Sequence, residues 1–354
     1  MTVFLNIVII LLVAITLWQL SKVFKIYKAT RAESLVANDS DNKVQGGLML
    51  AFLIVMFAFV FYGLYKWGPL LLGTPASEHG ETVDTLMFIS WIIIFAVFFL
   101  THTLLFFFAY KYQGKKDGKA LYYSDNMKLE MIWTGIPVIV LTGLILFGLY
   151  TWNDITDYDF DAEEQPVVVE LYAQQFNWTA RYAGEDNTLG DANVRLIDID
   201  NVNVLGLDTS DPNFKDDLIT KEIHLPVGRR VHFKIRSQDV LHSAYMPHFR
   251  AQMNCVPGMV TEFSFIPTIT TVDMRKDEGI VTKVANINSI RDTRREKGED
   301  LDAYEFDYLL LCNKICGKSH YNMQMKIIVE TPAEYDAWIR SQKQAKDVIK
   351  VASN

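Results

Sequence analysis

Four apolar runs, Val3 to Leu20, Gly47 to Leu72, Leu86 to Tyr110 and Ile132 to Trp152, fill most of the first 152 residues of this 354-residue chain. Hydrocarbon offers no water to peptide N–H and C=O groups, so runs of this kind must close their hydrogen bonds within helices. At about 1.5 Å per residue each is close to the length needed to cross a bilayer core of about 30 Å. The first run has no basic residues before it and lysines after it, the reverse of a cleaved signal peptide, and reads as a retained helix. Charge in the connections orients the four spans. The first connection carries Lys22, Lys25, Lys28 and Arg31, and the third Lys111, Lys115, Lys116, Lys119 and Lys128. The second carries Glu78, Glu81 and Asp84 and no cation. The positive-inside rule then places the first and third connections in the cytoplasm, and everything beyond Trp152 outside.

The remaining 200 or so residues differ in composition. The chain is half hydrophobic with a net charge of −8, but the apolar excess lies before Trp152 and most of the acid after it. A membrane part followed by a water-facing domain accounts for that division. The acidic balance argues against nucleic acid and fits a basic protein partner. Three cysteines are too few for a disulfide framework. Val167 to Tyr172 is β-rich, Arg230 to Arg236 alternates strictly, and Phe263 and Phe265 alternate with polar neighbours. Two further alternating runs, Tyr304 to Leu311 and Met323 to Val329, complete a pattern of short strands that predicts a sandwich or barrel. Gly184 to Thr220 and Asp273 to Asp302 read as polar insertions, and Ala333 to Lys350 as a terminal helix started by Thr331 and Pro332.

Between the last two strands lies LCNKICGKSHYNM, with Cys312, Cys316, His320 and Met323 at spacings of four, four and three. Two thiolates, an imidazole and a thioether form a soft site, suited to copper rather than magnesium or calcium. A second His follows the alternating strand at 230 to 236, as His242 in DVLHS. One Cys would suffice for a mononuclear blue site. Two thiolates four apart on one loop can instead bridge a pair of coppers, each then taking one His.

These residues resemble subunit II of the haem-copper cytochrome c oxidases, of a bacterial type with two extra N-terminal transmembrane segments. Cys312, Cys316, Gly317, His320 and Met323 match the family's loop, and His242 its upstream ligand. Glu130, Trp133, Thr134 and Pro137 match a core span, Gln175 and Trp178 the first outer strand, and YDAW at Tyr335 to Trp338 the terminal helix. The resemblance implies four transmembrane helices and an all-β, cupredoxin-like Greek-key sandwich or barrel. It divides the chain into two additional helices (1–73), a core hairpin (84–152), the outer CuA domain (153–332) and a terminal helix and tail (333–354). It also implies a dinuclear copper centre, CuA, bridged by Cys312 and Cys316. His242 and His320 would cap one copper each, Met323 would be a weak ligand, and the backbone carbonyl of Lys314 would complete the set. Haems and CuB would lie in subunit I. Subunits I and III, membrane lipid, a separate cytochrome c or c-type haem domain, and a respiratory supercomplex are the implied partners. The implied location is the bacterial inner membrane, with the CuA domain on the periplasmic side. The implied activity is electron acceptance from cytochrome c and transfer to haem in subunit I of a proton-pumping oxidase.

Two departures from the family matter. Lys314 replaces the usual Glu that helps hold a magnesium ion against subunit I, so that ligand is expected to be missing or replaced. The aromatic stretch reads Gln175-Phe176-Asn177-Trp178, so Phe176 stands where the family's first Trp faces the electron donor. Phe176 is expected to serve as packing and contact surface, with Trp178 behind it. For Glu130 two readings stand, the mouth of a proton path or a carboxylate favoured by a helix N-terminus. His102 reads as a neutral His bonded within the helices, and Cys255 as a buried small hydrophobe. Met246, His248 and Met253 read as an exposed loop near the site. Asp239 matches an acidic docking face.

Three rivals fare worse. A quinol oxidase subunit would have lost the copper ligands. A thioredoxin-like copper chaperone would alternate helices with strands. A nitrous oxide reductase would need a propeller domain. No Cys-x-x-Cys-His occurs, so no c-type haem is fused to this chain.

Overall fold

The computed structural model describes residues 2–29, 39–71, 73–157 and 165–349. Arg31, Leu72 and Lys350, which the sequence reading uses, lie outside them. Four helices come first: α1 (Thr2–Ala29), α2 (Asp39–Trp67), α3 (Gly80–Lys111) and α4 (Met127–Thr156). Among the described residues the last three are long and apolar enough to cross a membrane, while α1 is apolar over the shorter stretch Val8–Val23. The helix ends follow the dipole, with Asp39 and Asp41 opening α2, Glu81 opening α3, and Lys66 and Lys111 closing them. Pro137 lies inside α4, where it removes one backbone hydrogen bond. His102 bonds through Nδ1 to the Phe98 carbonyl of its own helix at 2.8 Å, with its ring tilted against Phe98 and stacked on Phe106.

The chain divides into two compact units, Met1–Tyr62 with Ile94–Met127, and Gly63–Ile93 with Lys128–Asn354. In the first, Phe57 and Phe61 pack on Phe99 at 4.8 and 5.1 Å between ring centres, and Phe52 on Phe106 at 5.5 Å. Hydrogen bonds from Asn42 to the Gly114 carbonyl and from the Lys116 amide to Asp39 close the polar end of that packing.

The second unit contains the β domain. Its strands are β1 (Val167–Gln174), β2 (Asn177–Tyr182), β3 (Leu218–Thr220), β4 (Ile223–Pro226), β5 (Val231–Ser237), β6 (His242–Met246), β7 (Ala251–Cys255), β8 (Thr261–Phe265), β9 (Tyr308–Cys312) and β10 (Gln324–Glu330). They form two five-stranded sheets, ordered β3-β2-β1-β5-β8 and β4-β10-β9-β6-β7. The β1–β5 and β4–β10 pairs are parallel, the others antiparallel. The inward alternation is the one legible in the sequence: Val231, Phe233 and Ile235 are fully buried, as are Met323, Met325, Ile327 and Val329 at the other sheet. This is the expected cupredoxin-like sandwich.

The insertions are more ordered than their polarity suggests. Within 184–220, Leu205, Leu207 and Phe214 form a second small core with Tyr172, Ala345 and Ile349. The stretch after Thr270 contains α5 (Thr271–Met274) and an 18-residue helix, α6 (Glu278–Arg295), capped by Asp277. The terminal helix is two pieces, α7 (Pro332–Ser341), with a Thr331–Glu334 capping box, and α8 (Ala345–Val348).

The connection between α2 and α3 lies along the β domain. The Ala76 amide donates to the His248 carbonyl, the Glu78 amide to Ile266, and the Thr268 amide to the Ala76 carbonyl, at 2.7 to 3.1 Å. Ser77 donates to the Phe249 carbonyl, and Arg250 forks onto both oxygens of Asp84 at 2.7 Å. The second connection and the β domain therefore pack together within the second unit.

Arg181 is buried between Glu170, at 2.8 Å, and Asp217, at 3.4 Å. Burial outweighs the attraction of Arg181 and pushes the Asp217 carboxyl up to about 7. Truncating one member of a buried ion cluster leaves the others unpaired, so Arg181→Met is expected to cost about 3–5 kcal/mol in denaturant unfolding. Asp217 binds its proton more tightly folded than unfolded, so its contribution to stability falls as pH rises from about 4 to about 7. Thermal unfolding of Asp217→Asn, compared with the unsubstituted chain, is expected to lack that component of the pH slope.

Candidate metal centre

Strand pairing delivers the first two donors. β6 and β9 are hydrogen-bonded neighbours with Ala244 opposite Cys312, so His242 and Cys312 meet at the mouth of one sheet. The loop then leaves β9, turns at His320–Asn322, and returns where the Cys312 amide donates to the Met323 carbonyl at 3.0 Å. Cys316, His320 and Met323 are thereby folded back over Cys312.

The donor atoms fall into two groups. Cys312 Sγ lies 3.7 Å from His242 Nδ1 and 3.2 Å from the Lys314 carbonyl oxygen. Cys316 Sγ lies 3.6 Å from His320 Nδ1 and 3.7 Å from Met323 Sδ. The two sulfurs are 3.9 Å apart and join the groups. Among the described residues the ligand atoms of His242, Cys312 and Cys316 all lie within 4.8 Å of one another. Burial and the neighbouring Cys312 push the Cys316 thiol up to about 11, so a soft cation that binds it must displace a proton. Soft sulfur and imidazole donors, buried and convergent, fit copper.

The imidazole of His242 is fixed from behind. Its Nε2 donates to Asp239 Oδ1 at 2.8 Å, which leaves Nδ1 facing Cys312. Asp239 also accepts the backbone amides of Gln175, at 2.6 Å, and Val240, at 2.7 Å. Burial opposes its charge, but the hydrogen bonds from His242, Gln175 and Val240 outweigh burial and hold the carboxyl below the usual value. Asp239 stands three residues before His242, a spacing that could have marked it as the imidazole's partner. The sequence reading took it only for docking.

Trp178 and Phe176 differ in their placement. Trp178 is only 2% exposed, with its ring centre 6.2 Å from that of His242 and its buried indole Nε1 without a hydrogen-bond partner among the described residues. Phe176 is half-buried in the turn between β1 and β2, at φ +72°. A Cβ built on Gly317, itself at φ +144°, would stand 2.8 Å from Phe176 Cζ. The Gln175 side-chain amide donates to the Cys316 carbonyl at 2.6 Å, a contact the sequence reading missed. Lys314, Ile315, Lys318 and Tyr321 are exposed around the loop.

The other singled-out residues lie apart from these donors. Glu130 is in the first turn of α4; 26 residues separate it from Thr156, or about 39 Å of helix. Cys255 is fully buried opposite His242 in the β6–β7 pair, and burial pushes its thiol up to about 12. Its reading as a small hydrophobe fits that placement. The expected exposed loop of Met246, His248 and Met253 is not there. Met246 is 1% exposed, Met253 is partly buried, and His248 packs edge-on against Phe306 and Tyr308. Burial, with Lys283 and Arg250 nearby, pushes the His248 imidazole down to about 4.

Two family models match the chain: the transmembrane domain of cytochrome c oxidase subunit II over residues 65–151, and its periplasmic domain over residues 167–276. The second match stops short of the cysteine loop. The "Alternative cytochrome c oxidase subunit 2" of Bradyrhizobium diazoefficiens is 32% identical over 302 residues, covering 83% of this chain and 91% of that protein. The cytochrome c oxidase subunit 2 of Thermostichus vulcanus is 24% identical, covering 78% of this chain and 79% of its own length. The crystal structure of the periplasmic domain of subunit II from Bradyrhizobium japonicum overlaps at a TM-score of 0.30 and 15% identity, covering 51% of this chain and 95% of that one. With a relative at this identity aligned over most of both lengths, and both halves of the subunit matched in order, the chain belongs to the cytochrome c oxidase subunit II family, as a membrane protein with a domain of the periplasmic type.

Proposed function

We propose that the chain is the electron-accepting subunit of a proton-pumping cytochrome c oxidase, taking electrons from cytochrome c or a c-type haem domain. In this reading Cys312 and Cys316 would bridge two coppers. His242 and His320 would cap one copper each, with Met323 a weak ligand and the Lys314 carbonyl completing the set. The observation that carries it is the division of the donors into two groups joined by the two sulfurs. When bound, such a copper pair supplies a one-electron acceptor whose charge change is spread over two ions.

The chain's own residues do the rest. Asp239 holds the His242 tautomer that presents Nδ1. Buried Trp178 excludes water behind that imidazole. Phe176, without an N–H and harder to oxidise than Trp, serves as packing beside the site, with Trp178 the aromatic nearer His242. Lys314 is an ammonium where a carboxylate would be needed to bind a divalent cation, so no magnesium is held through that side chain. Glu130, in the first turn of α4, would serve either as the mouth of a proton path or as a carboxylate favoured by the helix N-terminus.

The assembly follows from the same reading. The core hairpin (84–152) and the CuA domain (153–332) sit against subunits I and III in the bacterial inner membrane. Haem in subunit I receives the electron and oxygen is reduced there. The additional helices (1–73) form contacts with another subunit or complex, such as a respiratory supercomplex.

Rapid mixing of the assembled oxidase with a reduced c-type cytochrome tests the role. Cys316→Ser is expected to slow haem reduction at least 1,000-fold with haem content unchanged; reduction at the original rate would contradict it. Asp239→Asn is expected to weaken copper retention 10–100-fold, the usual effect of losing a carboxylate behind a ligating His. A loss of cytochrome affinity at low salt alone, with copper retained, would assign Asp239 to docking.

A further inference from the structure

We propose that the two-residue turn Gln175–Phe176 is a positioning strap for the metal loop. Gln175 pins the loop backbone at Cys316, and the Phe176 ring packs against Gly317, so the soft donors are held converged. The proposal rests on the reading that the loop holds copper.

Several contacts place the turn against both donor groups. The Gln175 side chain donates to the Cys316 carbonyl at 2.6 Å, on the group containing His320 and Met323. The Gln175 backbone amide donates to Asp239 Oδ2 at 2.6 Å, and the other oxygen of Asp239 holds His242 at 2.8 Å, on the group containing Cys312. One residue thus ties together the two ends of the site.

The turn itself is built against local preference. Gln174 pairs with Asn177, so Gln175 and Phe176 form a two-residue hairpin loop. Such loops favour Asn or Gly where φ is positive, yet Phe176 sits at φ +72°. A bulky residue there is strained. What the ring gains is the surface of Gly317. That glycine's missing Cβ would lie 2.8 Å from Phe176 Cζ, 3.0 Å from Cε1 and 3.1 Å from Gln175 Nε2, so no other residue lets the strap close. Strain on one side and an obligatory glycine on the other point to the same contact.

The test uses the full chain in its assembled oxidase. Phe176→Gly removes the ring and also relieves the positive φ, so a purely structural role for the ring in the fold predicts a lowered Tm. The strap predicts an unchanged or higher Tm, with copper passing to a copper(I) chelator such as bathocuproine at least tenfold faster and an altered copper hyperfine pattern in the EPR spectrum. Gln175→Met, close in size but without the donor, is expected to shift release and spectrum in the same direction. Release and spectrum within twofold of the unsubstituted protein for both variants would overturn the strap while leaving the copper reading intact. An unsubstituted protein that takes up no copper would overturn the copper reading and the strap with it. Should a variant fail to assemble, hydrogen exchange on the metal-free unsubstituted chain decides: protection of the Gln175 amide, which donates to Asp239, supports the strap, and exchange at unstructured rates overturns it.

Discussion

The site depends on the hydrogen-bonded pairing of β6 with β9. That pairing sets a histidine and a cysteine from positions 70 residues apart side by side, with Cys312 Sγ 3.7 Å from His242 Nδ1. Everything else at the mouth of the sandwich is arranged around it. The loop folds back because the Cys312 amide and the Met323 carbonyl continue the β9–β10 ladder. The imidazole keeps its orientation because Asp239 takes its other nitrogen. Two buried thiols 3.9 Å apart, with imidazoles 3.6 to 3.7 Å from their sulfurs, make only weak hydrogen bonds among themselves. The arrangement makes physical sense as a preformed cradle for soft cations.

The same sandwich is packed on the connection between α2 and α3. The segment from Thr74 to Gly80 contributes backbone hydrogen bonds to the β domain, buries Ala76 and Ser77, and is clamped by the bidentate Arg250–Asp84 pair. A bidentate guanidinium–carboxylate pair resists rotation as well as separation.

Much of this was legible in the sequence. The apolar runs gave the helices, and the period-two alternation at Val231 to Ile235 and Met323 to Val329 gave the inward faces of two strands. The soft donors at spacings of four, four and three, with His242 upstream, gave the donor set that the fold brings together. What could not be read was of two kinds. α6 was hidden because only Ile280 and Val284 mark its buried side among charged residues; Asp277 was a usable cap signal. The Gln175, Phe176 and Gly317 contacts join segments 141 residues apart through a backbone carbonyl and an absent Cβ, and neither leaves a trace in composition or periodicity. The placement of His248 likewise depends on distant segments, since its carbonyl accepts the Ala76 amide of the α2–α3 connection.

The central claim is that this fold holds a pair of coppers shared between Cys312 and Cys316. Copper content per chain, measured together with low-temperature electron paramagnetic resonance on the purified oxidized protein, tests it most directly. The account predicts two coppers per chain in the loop and one unpaired electron distributed over both. A single copper with a mononuclear spectrum, or a folded chain that takes up no copper when supplied with it, would contradict it.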